Sequence, residues 1–352
     1  MRPEKRTPDQ TYSMVKSFVI RGNLLSHQTL EGLAESKNLE EMVVKLRGTV
    51  YADSVSKLSQ PYDIQQMERA FKEHLANIHQ ALLKVAPKDK LLSAYYLKHI
   101  AGDLKTLLKG KAQKIPDEEL SKHIDMYMEE LVGRRDLIAR ALSAEDLDQT
   151  VKALEDTEFG SEAEAALAIY KETGRLQIFD VYIDKAFYRR VVDAYLSQNK
   201  NEERVKDIVA VEVDGYNVLA VLRGRIWELD PAQIRSLLIT PAFDVTQGDL
   251  KKMIDAESIT EAVKILNGTP YRSIVLEGDV DEIAIAKLED GFRLLSYHRA
   301  FDPFLWDIHK VSIAIGAVKL SELEVRNISA IAFGVQQHLS VKEIMSQLVF
   351  PK

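Results

Sequence analysis

NLEEMVVKLRGTVY (38–51), DLDQTVKALEDTEF (146–159) and SITEAVKILNGTPY (258–271) align without a gap. Each closes on Leu-x-x-Thr-x-aromatic: Leu46, Thr49 and Tyr51, then Leu154, Thr157 and Phe159, then Leu266, Thr269 and Tyr271. A second register recurs between and after them, in which a polar residue precedes a glycine by seven positions and an aliphatic residue follows that glycine by ten. Its members are Asp103, Gly110 and Leu120, then Asn217, Gly224 and Ile234, then Asn327, Gly334 and Ile344. The glycines stand 114 and 110 residues apart. That period is too long for one unit of a solenoid and suits a small domain. Helix-rich chains offer chance Leu-x-x-x-Leu alignments, but two separate registers recur here in one order with nearly equal spacing. Repetition of a scaffold points to architecture and binding more than to one asymmetric catalytic centre.

Periodicity predicts helix almost throughout. Met67, Phe71, Leu75, Ile78 and Leu82 advance by four, four, three and four, which places them on one stripe of a long helix. Asp230-Pro231-Ala232-Gln233 supplies an N-cap acceptor, a proline at the first helical position and a glutamine at the third. Ser258-x-x-Glu261 and Ser340-x-x-Glu343 read the same way. Gly110, Gly224 and Gly334 each follow a helical tract and are expected as left-handed residues just past a helix end. Pro116 and Pro231, just after the first two, are expected to open the next helices. One short strand is expected around Ser273 to Glu277. The class is all-α, with three similar helical units at 9–113, 114–225 and 226–352.

Composition excludes several functions. At 352 residues and 46% hydrophobic content the chain buries a substantial core. It has no cysteine, so neither a disulfide framework nor a thiolate metal site exists. A net charge of −7 argues against a general nucleic-acid-binding surface. The most apolar tract, VSIAIGAV from Val311, is far short of the roughly 20 residues a membrane span needs. The start, MRPEKRTPDQTYSM, is charged and lacks a following signal-peptide core.

No reaction centre is nominated. None of the eight histidines forms a His-x-x-x-His pair, and His74 and His79, five apart, read as ordinary surface or boundary residues. Lys109-Gly110-Lys111 lacks the upstream glycine and the following Ser/Thr of a phosphate loop. Glu277, Asp279, Asp281 and Glu282 lack the EF-hand pattern and read as a solvated loop and helix start. There is no Gly-x-Ser-x-Gly turn. No cofactor and no metal are expected. Asp103, Asn217 and Asn327 are the best candidates for a buried role, bonding backbone at a junction between successive helices; lining a central opening that touches a partner is the other reading. An all-α repeat adaptor that binds a protein or peptide partner is the alternative function. It would show a period near 35 residues inside each unit, and none is found.

Three stretches carry a resemblance. They are Tyr12-Ser13-Met14-Val15-Lys16 leading to Ile20-Arg21 and Leu24-Leu25, VEVDGYNVLAVLRGR from Val211, and SELEVRNISAIAFGVQQHLSVKEIMSQLVFP from Ser321. The chain resembles the C subunit of archaeal and bacterial A/V-type rotary ATPases, called d in the eukaryotic vacuolar pump, from about Tyr12 to Pro351. An acidic residue three before the asparagine, part of the family pattern, is present as Asp214 with Asn217 and as Glu324 with Asn327. The first unit departs, with Ile100 and Asp103 in those places.

The resemblance implies three subdomains around a pseudo-threefold axis, shaped like a funnel. It implies a rotor part on the cytoplasmic face of the membrane, between the central shaft and the proteolipid ring, with membrane contact only through partners. Such a part couples ATP synthesis or hydrolysis to proton or sodium transport and has no active site of its own. Isolated, it is expected to be a monomer.

Overall fold

The computed structural model describes residues 8–124, 126–199, 202–275, 282–306 and 310–350. All regular structure among them is helical, as the periodicity predicts. The chain begins with α1 (Pro8–Gly22), α2 (His27–Ala34), α3 (Leu39–Leu46), α4 (Ala52–Ser56), α5 (Ile64–Leu83) and α6 (Lys90–Ala112). It continues through α7 (Asp117–Ser121), α8 (Met126–Val132), α9 (Arg135–Leu142), α10 (Leu147–Lys152), α11 (Gly160–Thr173), α12 (Gln177–Ala194) and α13 (Glu203–Ile226). The remainder is α14 (Pro231–Leu237), α15 (Gln247–Asp255), α16 (Ile259–Lys264), α17 (Glu282–Phe301), α18 (Pro303–Trp306), α19 (Val311–Gln336) and α20 (Val341–Ser346).

Helix starts follow local chemistry. Asn38, Asp146 and Ser258 each cap the helix of a repeated segment, accepting the amide three residues on. Asp230, Thr246 and Ser340 close reciprocal capping boxes with Gln233, Asp249 and Glu343, so two orphan donors are satisfied at once. Pro231 is the first residue of α14, and Pro116 sits one step outside α7 at its N-cap.

The strand expected at Ser273 to Glu277 does not form over its described part. Arg272–Ile274 is a 3-10 turn, with the Ile274 and Val275 amides bonded back to the Tyr271 and Arg272 carbonyls. Local bonding consumes the groups a strand would present, and no neighbouring strand among the described residues competes for them. Glu277, Asp279 and Asp281 of the acidic cluster lie outside the described residues; Glu282 opens α17.

The chain divides into two compact units. The first takes 1–96, 125–133 and 300–352, so helices from the early and the late part of the chain share it. Its axis is α19, packed along α5, α1 and α2. Met42, Val43, Leu46, Tyr51, Met67 and Phe71 share one core with Ile328, Ile331 and Ala332 of α19. The second takes 97–124 and 134–299, built on α13, α12 and the helices around them. Both α13 and α19 are buried along most of their length, Asp214, Asn217, Glu324 and Asn327 included.

Candidate functional site

The repeated segments fold to one local geometry. Each threonine donates its hydroxyl hydrogen to the carbonyl of the leucine three residues earlier: Thr49 to Leu46 at 2.7 Å, Thr157 to Leu154 at 2.7 Å, Thr269 to Leu266 at 2.8 Å. Each hydroxyl oxygen then accepts the amide of the aromatic residue two positions on, Tyr51, Phe159 or Tyr271, at 3.1 to 3.2 Å. A short helix is thereby ended and the aromatic ring turned inward, where all three are buried.

The asparagines clasp backbone. Asn217 donates from Nδ2 to the Ile239 carbonyl at 3.2 Å and accepts the Ile239 amide at 2.8 Å. Asn327 does the same to Val349, both bonds 3.0 Å. In each case the partner lies 22 residues on, at the end of the segment after the next short helix. A carboxamide suits this because it carries a donor and an acceptor side by side. Asp103 is buried but carries no amide donor, and the residue 22 beyond it, 125, lies outside the described residues.

One turn before each asparagine stands the carboxylate the sequence pattern singled out. Asp214 accepts the amides of Phe243, Asp244 and Val245 and the Tyr271 hydroxyl, at 3.3, 2.8, 3.1 and 2.8 Å. Glu324 accepts the Leu25 amide on one oxygen and the Tyr51 hydroxyl, at 2.8 Å, on the other. Burial pushes both acids up, Asp214 to about 6 and Glu324 to about 7, with the hydrogen bonds opposing that rise. Burial and the facing carboxylate raise the phenols of Tyr51 and Tyr271.

Reading the sequence alone misses Tyr51 and Tyr271 as partners of the acids, although it carries a signal for them. The two copies with an acid have a tyrosine partner; the remaining copy has Ile100 in the acid's place and Phe159 in the aromatic place, both fully buried. A carboxylate or a phenol introduced alone would be left with an unmet hydrogen-bonding group.

The glycines correct an expectation. None is left-handed; each lies in the last turn of its helix, in α6, α13 or α19. The positive φ falls four residues later, at Lys114 (57°), Glu228 (58°) and His338 (55°). The following amide, of Ile115, Leu229 or Leu339, reaches back to the carbonyl of the glycine at 2.9 Å, which is a Schellman closure. What demands glycine is the aliphatic residue ten positions on. A Cβ on Gly224 would stand 2.9 Å from Ile234, one on Gly334 would stand 2.5 Å from Ile344, and one on Gly110 would overlap Leu120.

His79 is also corrected. It is fully buried, donates to the Leu92 carbonyl across 2.9 Å and lies against the Tyr96 ring. The apolar stripe of α5 continues from Leu75 through His79, four residues on, while Ile78 is only half-buried. His74 lies against Tyr51 with the rings tilted and their centres 4.4 Å apart, and burial lowers its pKa.

Among the described residues, no three His, Cys, Asp or Glu side chains come together as metal ligands. No described helix is long and apolar enough to cross a membrane. The repeated polar groups bond to backbone and to one another, which is the chemistry of a joint.

A model of the family described as ATP synthase (C/AC39) subunit matches residues 15–347. The A-type ATP synthase C subunit of Methanocaldococcus jannaschii is 24% identical, over 93% of this chain and 82% of the relative. The protein of that name from Pyrococcus abyssi is 24% identical over 98% and 92%. That from Halorubrum lacusprofundi is 31% identical over 74% and 73%. With the family pattern running from α1 to the end of α20, this chain belongs to the ATP synthase C/AC39 subunit family.

Proposed function

We propose that this chain is a non-catalytic coupling part of an A/V-type rotary ATPase, standing between the central shaft and the ring of membrane proteolipid subunits. The observation that carries this reading is the family match over residues 15–347, nearly the whole chain. The repeated joints support it. Asn217, Asn327, Asp214 and Glu324 are buried and spend their hydrogen bonds on backbone amides, carbonyls and tyrosines. Such groups resist shear between packed helices, as a torque-bearing part requires. ATP chemistry and ion translocation then belong to other subunits.

On this reading 9–113, 114–225 and 226–352 are three copies of one helical plan, arranged as a funnel about a pseudo-threefold axis. The chain sits peripherally on the cytoplasmic face, reaches the membrane only through its partners and is a monomer when released. A reconstituted assembly with and without this chain tests the proposal, with hydrolysis and ion transport measured in parallel. Without it, the catalytic head is expected to keep hydrolysing ATP while ion transport stops. Undiminished transport in its absence refutes the coupling role.

A further inference from the structure

Constant offsets relate the two ends of the repeat. Asn217, Glu228 and Ile239 stand 110 residues before Asn327, His338 and Val349, and each makes the same bond or bears the same positive φ as its counterpart. Leu25, Ser26 and Tyr51 stand 220 residues before Val245, Thr246 and Tyr271, again with matching bonds. The same offsets pair Thr240 with Phe350, Gln247 with His27, Arg235 with Met345 and Lys251 with Glu31.

Of the two compact units, the first, which holds 300–352, has this place filled. The Phe350 ring lies 4.8 Å from the His27 ring, and Phe350, Met345 and Leu348 pack against the core. In the second unit, Thr240 and Gln247 are too small or too polar to fill it. A cleft of about 480 Å³ is left, floored by Leu238, Ile239, Leu250 and Ile254. Arg235 and Lys251 line it and are exposed. Neither forms an ion pair with any described residue.

We propose that this cleft is a docking seat for an acidic segment of a partner protein, which inserts an aromatic side chain where Phe350 sits in the first unit. The volume and the aliphatic floor suit a ring. Two uncompensated cations on a chain of net charge −7 select carboxylates beside that ring and repel basic segments. The apolar anchor supplies affinity, and the charges supply orientation. The seat belongs to the second unit alone and stands or falls independently of the coupling role.

The test uses the full chain and a fluorescein-labelled hexapeptide, Asp-Glu-Leu-Phe-Asp-Glu, followed by anisotropy. Saturable binding is expected, weakened about tenfold or more when the peptide phenylalanine becomes alanine. The same loss is expected in the Arg235→Glu, Lys251→Glu double variant. Thr240→Phe fills the seat from within, as Phe350 does, and is expected to abolish binding while the thermal midpoint is kept or raised, which shows that the fold survives. Peptide binding that is absent, persists in Thr240→Phe or ignores the phenylalanine overturns the proposal. Anionic phospholipid vesicles serve as the competing probe: binding to them that Thr240→Phe removes, with none to the peptide, assigns the cleft to a lipid surface and overturns it as well.

Discussion

Tyr51 donates its phenolic hydrogen to Glu324, 273 residues further along the chain, across 2.8 Å. The bond joins a repeated segment near the N-terminus to α19 near the C-terminus, within a core that excludes water from both partners. Its counterpart, Tyr271 to Asp214, has the same length over a separation of 57 residues. Equal geometry at such unequal separations follows when one packing solution is used twice and the chain is threaded differently between its parts.

Stability should fall as pH rises through the neutral range. Glu324 is raised from 4.5 to about 7, so the folded state binds its proton more tightly than the unfolded chain does. The associated stabilisation is complete below about pH 4.5 and is lost as pH climbs through 7, an effect on the order of 3 kcal/mol. Glu324→Gln keeps the shape and removes the titration, with one of the two acceptor oxygens replaced by an amide donor as in the protonated acid. Denaturation curves from pH 5 to 8 are expected to be flatter in that variant than in the parent. Equal slopes would place the Glu324 pKa near its ordinary value.

Substitution at the register glycines should expose the close approach of the next helix. Gly224→Ala and Gly334→Ala gain up to about 1 kcal/mol of helix propensity but crowd Ile234 and Ile344, and a net loss of about 1 to 2 kcal/mol is expected. Trimming Ile344 to valine should recover part of the loss in Gly334→Ala, a non-additivity that a double-mutant cycle measures.

Glycine is missing where the backbone favours it. Lys114, Glu228 and His338 hold the left-handed position of three Schellman closures. Lys114→Gly, Glu228→Gly and His338→Gly should each stabilise by up to about 1 kcal/mol, since the Cβ penalty is removed. A thermal midpoint lowered by all three substitutions would contradict the assignment.

Removing a clasp should cost more than removing a turn hydroxyl. Asn217→Ala strands both the amide and the carbonyl of Ile239 in a buried setting, for an expected loss of about 2 to 4 kcal/mol. Thr157→Val removes one hydroxyl that bridges Leu154 and Phe159 and should cost about 1 to 2 kcal/mol. Urea titration of the two variants ranks them directly.

The all-α class, the capped helix starts and the three repeated segments were legible in the sequence, because caps, apolar periodicity and the Leu-x-x-Thr-x-aromatic turn are made by residues within a few positions of one another. Asp230 with Gln233, or Thr49 with Leu46 and Tyr51, form their bonds with no help from the rest of the chain. The registers also marked Asn217 and Asn327 as buried residues that bond backbone between helices, and marked the glycines for a left-handed role that falls instead on the residue four positions later. A residue's spacing states that it recurs; only its neighbours in space state what it does. That Gly334 makes room for Ile344, that Asn327 holds Val349, that His79 continues a buried stripe and that Glu324 faces Tyr51 were decided by tertiary packing, where distant side chains compete for the same volume and buried donors must find acceptors.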